Sequence, residues 1–130
     1  TGQRELFQFH YLLDESMLLR ADPTWVRLAL DNLLDNALKY GGSDTLVDLT
    51  VHSDAQSILI DVADRGAGIP EELRQKVFDR YFRSPQVGHL PGAGLGLHLV
   101  QCVTQWHKGD VRVLARPGGG TLMRWRLPHS

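Results

Sequence analysis

Two asparagines and a lysine interrupt the apolar pattern of a helical stretch, ALDNLLDNALKYGG, which occupies residues 29–42. At about 100° per residue, Asn32, Asn36 and Lys39 fall close together on the margin of the apolar face. An amide oxygen is a neutral, hard ligand that can hold magnesium, and a lysine can neutralise phosphate. The row therefore predicts a site for a metal and phosphate groups, although one asparagine alone would be equally compatible with capping or plain exposure.

A carboxylate stands at the end of an apolar strand in the segment DVADRGAGIP, residues 61–70. Asp64 is in phase with the alternating isoleucines and valine of that strand, so we expect it at the edge of the buried face. Gly66 and Gly68 allow the backbone to approach a ligand closely. The segment predicts a carboxylate that accepts a hydrogen bond from an amine such as that of adenine. An ordinary Asp-x-Gly turn is the alternative.

Glycines open a helix in the segment GAGLGLHLV, residues 92–100. Backbone N–H groups at such a helix start can cradle phosphate. The dinucleotide-binding fingerprint is excluded because Leu97 stands where a third glycine is needed and a Pro/Gly loop replaces the preceding strand. A Walker A loop is excluded because the chain contains no Gly-Lys pair. A flexible hinge before the helix is the alternative.

Hydrophobic periodicity indicates which elements position these residues. Alternation predicts strands at 5–12, 16–21, 47–52 and 56–64, and a closing hairpin made of 110–116 and 120–127. Asp22 as N-cap and Pro23 at the first helical position predict a helix that runs to about Tyr40 and stops at Gly41-Gly42. We expect a short helix at 70–78, a mobile loop at 83–93 and a helix at 95–107. The last helix should bury one stripe, made of Leu95, Leu99, Cys102, Val103 and Trp106.

This order of elements predicts an α+β fold: a two-layer α/β sandwich with a mixed, roughly five-stranded sheet and about three helices on one face. The 130 residues, 42% hydrophobic and 22% charged, suit one folded domain. A net charge of −1 argues against a broad nucleic-acid-binding surface. Cys102, the one cysteine, offers neither an internal disulfide nor a zinc-binding pair. The opening TGQREL, without an initiator Met, leads us to expect a piece of a longer protein.

Four segments occur in one order along the chain: 29–41, 61–70, VFDRYFRS at 77–84 with its paired aromatics, and 92–97. Together they resemble the N, G1, F and G2 boxes of the catalytic and ATP-binding domain of bacterial sensor histidine kinases. The resemblance covers nearly the whole chain. It implies the Bergerat, or GHKL, ATP-binding fold as one domain over residues 1–130, with the F box at 77–83 and an ATP lid at 83–93.

The resemblance also implies a role for each matching residue. Asn36 would bind magnesium and Lys39 would contact phosphate, while Tyr40 would pack near the adenine and Asp64 would read its amino group. Asn32 matches the first N-box asparagine and Arg83 a lid arginine that reaches the phosphates, so that Asn32, Lys39 and Arg83 form the implied catalytic set. The other implied nucleotide-binding positions are Gly66, Gly68, Ile69, Phe78, Phe82, Gly92, Gly94, Leu95, Gly96 and Leu97.

The implied activity is the binding of Mg-ATP and the transfer of its γ-phosphoryl group to a histidine of a separate dimerisation domain, which serves a cognate response regulator. None of the six histidines shows the family's acceptor pattern, a helical histidine followed by an acidic residue, so the acceptor is expected in trans. The implied setting is a cytoplasmic domain, monomeric by itself and without nucleic-acid or membrane contact. Its parent protein is expected to be anchored in the bacterial inner membrane.

Two alternatives remain open. Gyrase, mismatch-repair and chaperone ATPases of the same fold carry a glutamate four residues before the magnesium-binding asparagine, where this chain has Asn32. An amide cannot take a proton from water, so hydrolysis would lack its base and histidine phosphorylation is favoured. The second alternative is a nucleotide-binding regulatory module without catalysis, against which the intact Asn36, Lys39 and Asp64 argue.

Overall fold

The computed structural model describes residues 7–12, 23–41, 46–79 and 96–128. Within these ranges, five strands are present: β1 (Phe7–Leu12), β2 (Val47–Ser53), β3 (Ser57–Ala63), β4 (Asp110–Ala115) and β5 (Thr121–Pro128). The same ranges hold the helices α1 (Pro23–Gly41) and α2 (Gly96–Trp106), and two 3-10 helices at Glu71–Leu73 and Lys76–Phe78. The strand expected at 16–21 and the loop expected at 83–93 lie outside the described residues.

The five strands form one sheet in the order β1-β2-β3-β5-β4. β1 pairs with β2 in parallel, and the other three pairings are antiparallel. The mixed five-stranded sheet that the sequence predicts is therefore confirmed. The pairing of β3 with β5 is central for the site, because it brings the end of β3, where Asp64 follows, beside the start of β5.

The core lies between the two helices and one face of the sheet. Leu33 of α1, Val100 of α2 and Trp125 of β5 are all fully buried there. The Trp125 indole nitrogen donates a hydrogen bond of 2.7 Å to Thr104 Oγ1, which in turn donates to the carbonyl of Val100 at 2.6 Å. The polar atom of the largest core side chain is thus satisfied, and the bond joins the helical layer to the sheet.

The opposite face of the sheet carries ion pairs. Asp61 accepts hydrogen bonds from Nε and Nη2 of Arg124, both at 2.9 Å, and its Oδ2 lies 2.9 Å from Nε2 of His52. Arg126 pairs with Asp110 at 2.7 Å. These pairs neutralise the charges of the open face where the sheet meets solvent.

Residues 70–78 do not form the short helix that the sequence predicts. They form two 3-10 helices instead, with i→i+3 hydrogen bonds such as that from the Leu73 N–H to the Pro70 carbonyl, at 2.9 Å. So short a segment gains little from α-helical cooperativity, and the tighter turns let Val77 and Phe78 both reach the core.

The stripe expected on the last helix is confirmed for Val103 and wrong for Trp106, while Leu99 is only partly buried and Leu95 lies outside the described residues. The buried residues of α2 are Leu97, Val100, Val103 and Thr104, whereas Trp106 is 60% exposed. The ring of Trp106 instead meets that of Trp25 edge to face, with centroids 5.3 Å apart and planes at 86°. Apolar residues occupy two neighbouring stripes of this helix, and packing against α1 and the sheet decides which one is buried.

Candidate functional site

Helix α1 places the polar row at the border between core and solvent. Asn32 and Asn36 are half-buried and Lys39 is exposed, while Leu33 and Ala37, which alternate with them, are buried. The helix begins at Pro23, as predicted, and ends at Gly41. Burial of the leucine and alanine face therefore fixes the direction in which the amides point.

Asn32 lies against the start of α2. Its amide nitrogen donates to the carbonyl of Leu28 at 2.9 Å. The amide oxygen takes no part in this hydrogen bond. A methyl group in place of the Gly96 hydrogen would lie only 2.7 Å from that oxygen. The first N-box asparagine and the last G2 glycine therefore meet, and a side chain at position 96 would have to shift the Asn32 amide.

Asn36 reaches toward the sheet. Its amide nitrogen lies 3.9 Å from the Met123 sulfur, with the geometry of a weak hydrogen bond, and Met123 is buried in β5. No described residue donates to the Asn36 oxygen, which is therefore available as a neutral ligand. Magnesium is usually held by one or two protein oxygens together with substrate phosphates and water. A single neutral amide oxygen fits such a shared metal. The described residues contain no cluster of three or more His, Cys, Asp or Glu that could hold a metal ion.

Asp64 is the buried carboxylate of the site, with 3% of its surface exposed. Its Oδ1 accepts hydrogen bonds from the backbone N–H of Gly66 at 2.9 Å and of Thr121 at 3.3 Å. Burial raises the pKa of Asp64 above its usual value, and the two backbone hydrogen bonds and the charge of Arg116 oppose that shift. Both hydrogen bonds use Oδ1, so Oδ2 has no partner among the described residues and can accept a hydrogen bond from a ligand.

Thr121 is a site residue that the sequence did not indicate. It is 1% exposed, and its carbonyl accepts a hydrogen bond of 2.9 Å from the Asp64 backbone N–H. Its hydroxyl oxygen is buried without a hydrogen-bond partner, the one such side-chain atom among the described residues. A buried hydroxyl without a partner is costly and rare. A ligand with a donor and an acceptor side by side, as on the edge of adenine, would satisfy both this hydroxyl and the Asp64 carboxylate.

The G1 loop is held against the turn between β4 and β5. Gly68 has φ +83°, and a methyl group there would lie 3.4 Å from the Gly120 carbonyl oxygen. Gly120 has φ +105° and approaches the backbone of Asp64 so closely that no side chain could be placed between them. Ile69, which follows Gly68 in the chain, is buried. These contacts fix the loop that follows Asp64.

The F and G2 segments also meet, through α2. His98 Nδ1 lies 3.2 Å from the Phe78 carbonyl oxygen and must carry a proton to donate to it. Phe78 and Leu97 are both buried in the core. The F and G2 segments are therefore anchored to the core by these two side chains.

The contacts of Asn36 and of Asp64 meet the same strand of the sheet. Met123, which Asn36 contacts, and Thr121, which Asp64 contacts, lie two positions apart on the buried face of β5. The predicted positions Phe82, Arg83, Gly92, Gly94 and Leu95, and the side chain of Tyr40, lie outside the described residues.

Residues 21–130 match the family model of histidine kinase-, DNA gyrase B- and HSP90-like ATPases. Sensor-type histidine kinase PrrB of Mycobacterium tuberculosis is 42% identical over 106 residues, which cover 82% of this chain and 23% of that protein. Sensor protein KdpD of Escherichia coli is 33% identical over 113 residues, covering 87% of this chain and 13% of that protein. The solved structure of the mycobacterial sensor histidine kinase MprB matches with a TM-score of 0.84 and 31% identity, covering 98% of this chain and 87% of that chain.

The chain belongs to the histidine kinase-, gyrase B- and HSP90-like ATPase family. Within it, the chain is a catalytic, ATP-binding domain of the sensor histidine kinase type, so the fold and family that the sequence predicts are confirmed. It spans less than a quarter of the length of the two curated relatives. In the part of the chain that the structure describes, no helix is long and apolar enough to cross a membrane.

Proposed function

We propose that this domain binds Mg-ATP and transfers the γ-phosphoryl group to a histidine on a separate dimerisation domain of a two-component sensor. The observation that carries the proposal is the pair formed by Asp64 and Thr121. The buried Asp64 carboxylate at the end of β3 accepts a hydrogen bond from the backbone N–H of Thr121 at the start of β5, and the buried Thr121 hydroxyl has no partner among the described residues.

Adenine would be recognised at this pair. The Asp64 carboxylate would accept a hydrogen bond from the adenine amino group, and the Thr121 hydroxyl would satisfy a ring nitrogen directly or through a water molecule. Ile69 would provide apolar contact, and Gly66 and Gly68 would let the loop approach the base. Tyr40 and Phe82 are proposed to add aromatic contacts.

The phosphates would lie along the N and G2 boxes. Asn36 would hold magnesium through its amide oxygen, and the ion would neutralise charge on the phosphates. Lys39 and Arg83 would add positive charge around the γ-phosphate, where charge develops during transfer. The backbone of the G2 segment, with Gly92, Gly94 and Gly96, would donate hydrogen bonds at the start of α2. Phe78, Leu95 and Leu97 would anchor that segment to the core.

The domain does not need a general base of its own. A neutral imidazole is already nucleophilic near neutral pH, because the unperturbed pKa of histidine is about 6.5. The acceptor nitrogen would form a bond to the γ-phosphorus while the bond from phosphorus to the bridging oxygen of ADP breaks. Asn32 has its amide nitrogen committed to the Leu28 carbonyl and no basic group to offer, so attack by water would not be assisted. ATP would therefore persist until an acceptor histidine docks.

The partners and setting follow from the same proposal. The acceptor domain belongs to the parent kinase, and a cognate response regulator would receive the phosphoryl group from it. The domain would act in the cytoplasm, attached to a parent protein anchored in the inner membrane, as a monomer without contact to nucleic acid or lipid.

The test is incubation of the chain with γ-labelled ATP and magnesium, with and without a dimerisation domain that carries the acceptor histidine. We expect acid-labile label on the acceptor and little release of phosphate in its absence. A matched acceptor with His→Ala controls for transfer to other residues. Release of phosphate at the same rate with and without acceptor would identify an ATPase instead. Binding of ATP without either reaction would identify a regulatory module.

A further inference from the structure

The described residues contain a cavity of about 310 Å³ between the G1 loop and the turn that joins β4 to β5. Residues 67–70 and Arg74 line one side, and residues 115, 116, 119 and 120 line the other. Asn32, Asn36 and Asp64 do not line it. The cavity therefore lies next to the proposed adenine site and shares Gly68 and Ile69 with it, but it includes neither the proposed metal ligand nor the carboxylate proposed to bind the adenine amino group.

Both charged residues of this cavity are arginines that are fixed in place by backbone carbonyls. Arg74 donates through Nε to the carbonyl of Ile69 at 3.1 Å. Arg116 donates through Nη1 to the carbonyls of Pro117 at 3.2 Å and Gly119 at 3.0 Å. Each guanidinium group has five N–H donors, so each keeps several that these bonds do not use. The donors are held in position before any ligand arrives, which reduces the entropy lost on binding.

Neither arginine of the cavity is paired directly with a carboxylate among the described residues. Arg65, Arg112, Arg124 and Arg126 each form an ion pair with an aspartate. Neither Arg74 nor Arg116 forms an ion pair with any described residue, and no carboxylate lines the cavity. The charge of Arg116 also acts on the Asp64 carboxylate, but two anchored guanidinium groups around one concave space, neither of them ion-paired with a described residue, have the chemistry of a site for an oxyanion.

We propose that this cavity binds a small oxyanion, a carboxylate or a phosphate, between Arg74 and Arg116. Ala67, Ile69, Pro70 and Ala115 provide apolar walls for the body of a compact organic anion. The shared chemistry is a group of acceptor oxygens that two guanidinium groups can hold. The cavity shares Gly68 and Ile69 with the proposed adenine site, but neither arginine is among the residues proposed to bind ATP, so we expect that an anion and ATP can be bound at the same time.

The test is a titration of the ¹⁵N-labelled chain with inorganic phosphate in one arm and succinate in the other, at constant ionic strength. We expect saturable shifts of the Gly68, Gly119 and Gly120 amides and of the Arg74 and Arg116 Nε–H signals, in at least one arm. The arm with the higher affinity tells whether the natural ligand is a phosphate or an organic carboxylate. Arg74→Ala and Arg116→Ala should each weaken that binding about tenfold.

Arg112→Ala is the matched control, because it also removes one positive charge from an arginine whose side chain is 70% exposed. It should bind the anion as the unchanged chain does. Arg74→Ala leaves the turn at 117–120 untouched, so the test holds even if Arg116→Ala disturbs that turn, and thermal melting of each variant checks the fold. Absence of saturable shifts in both arms, or equal affinity in the two arginine variants and the control, would overturn the proposal. So would displacement of the anion by a non-hydrolysable ATP analogue, which would place the anion in the nucleotide site. None of these outcomes bears on phosphotransfer.

Discussion

We expect the Thr121 side chain to be costly for stability and valuable for binding. Its hydroxyl oxygen is buried without a partner, which is unfavourable in the domain without nucleotide. The backbone N–H of the same residue donates to the Asp64 carboxylate, so a ligand with complementary groups at this position could satisfy both side chains. The prediction that follows separates these two effects, because a substitution can remove the hydroxyl without changing the shape of the residue.

Thr121→Val should weaken ATP binding about tenfold, because a ligand group would be left without its hydrogen bond. The free energy of unfolding without nucleotide should stay unchanged or rise, since the orphan hydroxyl is removed. Thr50→Val, on the open face of β2, is the matched control and should leave ATP affinity unchanged. Titration with a fluorescent ATP analogue and thermal melting measure the two quantities. If Thr121→Val bound the analogue as tightly as Thr50→Val, the hydroxyl would have no part in recognition.

Asn36 provides a second test at the same scale. Asn36→Ala should abolish the magnesium dependence of ATP binding and reduce phosphotransfer at least about a hundredfold, because the metal would lose its protein ligand. Its contact with the Met123 sulfur is weak, so we expect little change in melting temperature. Asp35→Ala, one position away on the exposed side of α1, is the control. Full magnesium-dependent transfer by Asn36→Ala would remove this residue from the metal site.

At the scale of elements, the first turn of α2 fits tightly against α1. Gly96 meets the Asn32 oxygen there, and a side chain at position 96 would have to displace the asparagine. Farther along α2, Thr104 joins the helix to the sheet through the Trp125 indole. The position of α2 therefore controls both the site and the core, and the two contacts can be changed separately.

Gly96→Ala should weaken ATP binding by about tenfold while the helix itself gains stability from the added propensity of alanine. The expected signature is a lower affinity at an unchanged or higher melting temperature. Gln105→Ala, on the exposed side of the same helix, should change neither quantity. A loss of affinity that matched a loss of stability would mean that the substitution only damages packing.

Thr104→Val should lower the free energy of unfolding by about 1–3 kcal/mol, because the buried indole N–H of Trp125 would lose its acceptor. Thermal or urea unfolding measures this change, and Thr50→Val again serves as the control. ATP affinity measured well below the melting temperature should be nearly unchanged, since neither partner of this hydrogen bond borders the site. An unfolding free energy equal to that of the unchanged chain would show that water satisfies the indole.

Elements with strong local signals could be predicted from the sequence, and those decided by tertiary contacts could not. Pro23 and the glycines at 41–42 set the bounds of α1, and alternation set β2 and β3 within a residue or two. The buried stripe of α2 depends on which apolar side faces α1, which no local pattern reports. Thr121 was missed for the same reason: its neighbour Asp64 lies 57 residues away, and only the register of β3 with β5 joins them.

At the scale of the whole molecule, the buried carboxylate of the site should shape the pH dependence of stability. The folded-state pKa of Asp64 is raised above 3.8, so the folded chain holds this proton more tightly than the unfolded chain. Its stabilising contribution is complete below about pH 3.8 and is lost as the pH rises through the raised pKa. At neutral pH, the ionised Asp64 therefore lowers the stability of the domain, a cost that its proposed role in adenine recognition would explain.

Asp64→Asn should raise the free energy of unfolding at neutral pH by about 1 kcal/mol and greatly weaken ATP binding. The gain should shrink as the pH falls toward 3.8, where the native carboxyl becomes neutral as well. Asp54→Asn is a control of opposite sign, because hydrogen bonds from the backbone of Gln56 and Ser57 lower the pKa of that exposed carboxyl. Melting curves across this pH range measure both. A gain for Asp64→Asn that did not depend on pH would contradict the assigned cause.

The pairing of β3 with β5 has a consequence for the order of events during synthesis. Asp64 follows a strand that is made early, whereas its neighbour Thr121 opens the strand at Thr121–Pro128. In a nascent chain on the ribosome, β3 could pair with β2, but its other edge would stay unpaired until β5 emerges, because such distant pairings form late. The proposed adenine site is incomplete before that moment. The nucleotide can therefore act as a ligand of the completed domain but not as a template for its first half.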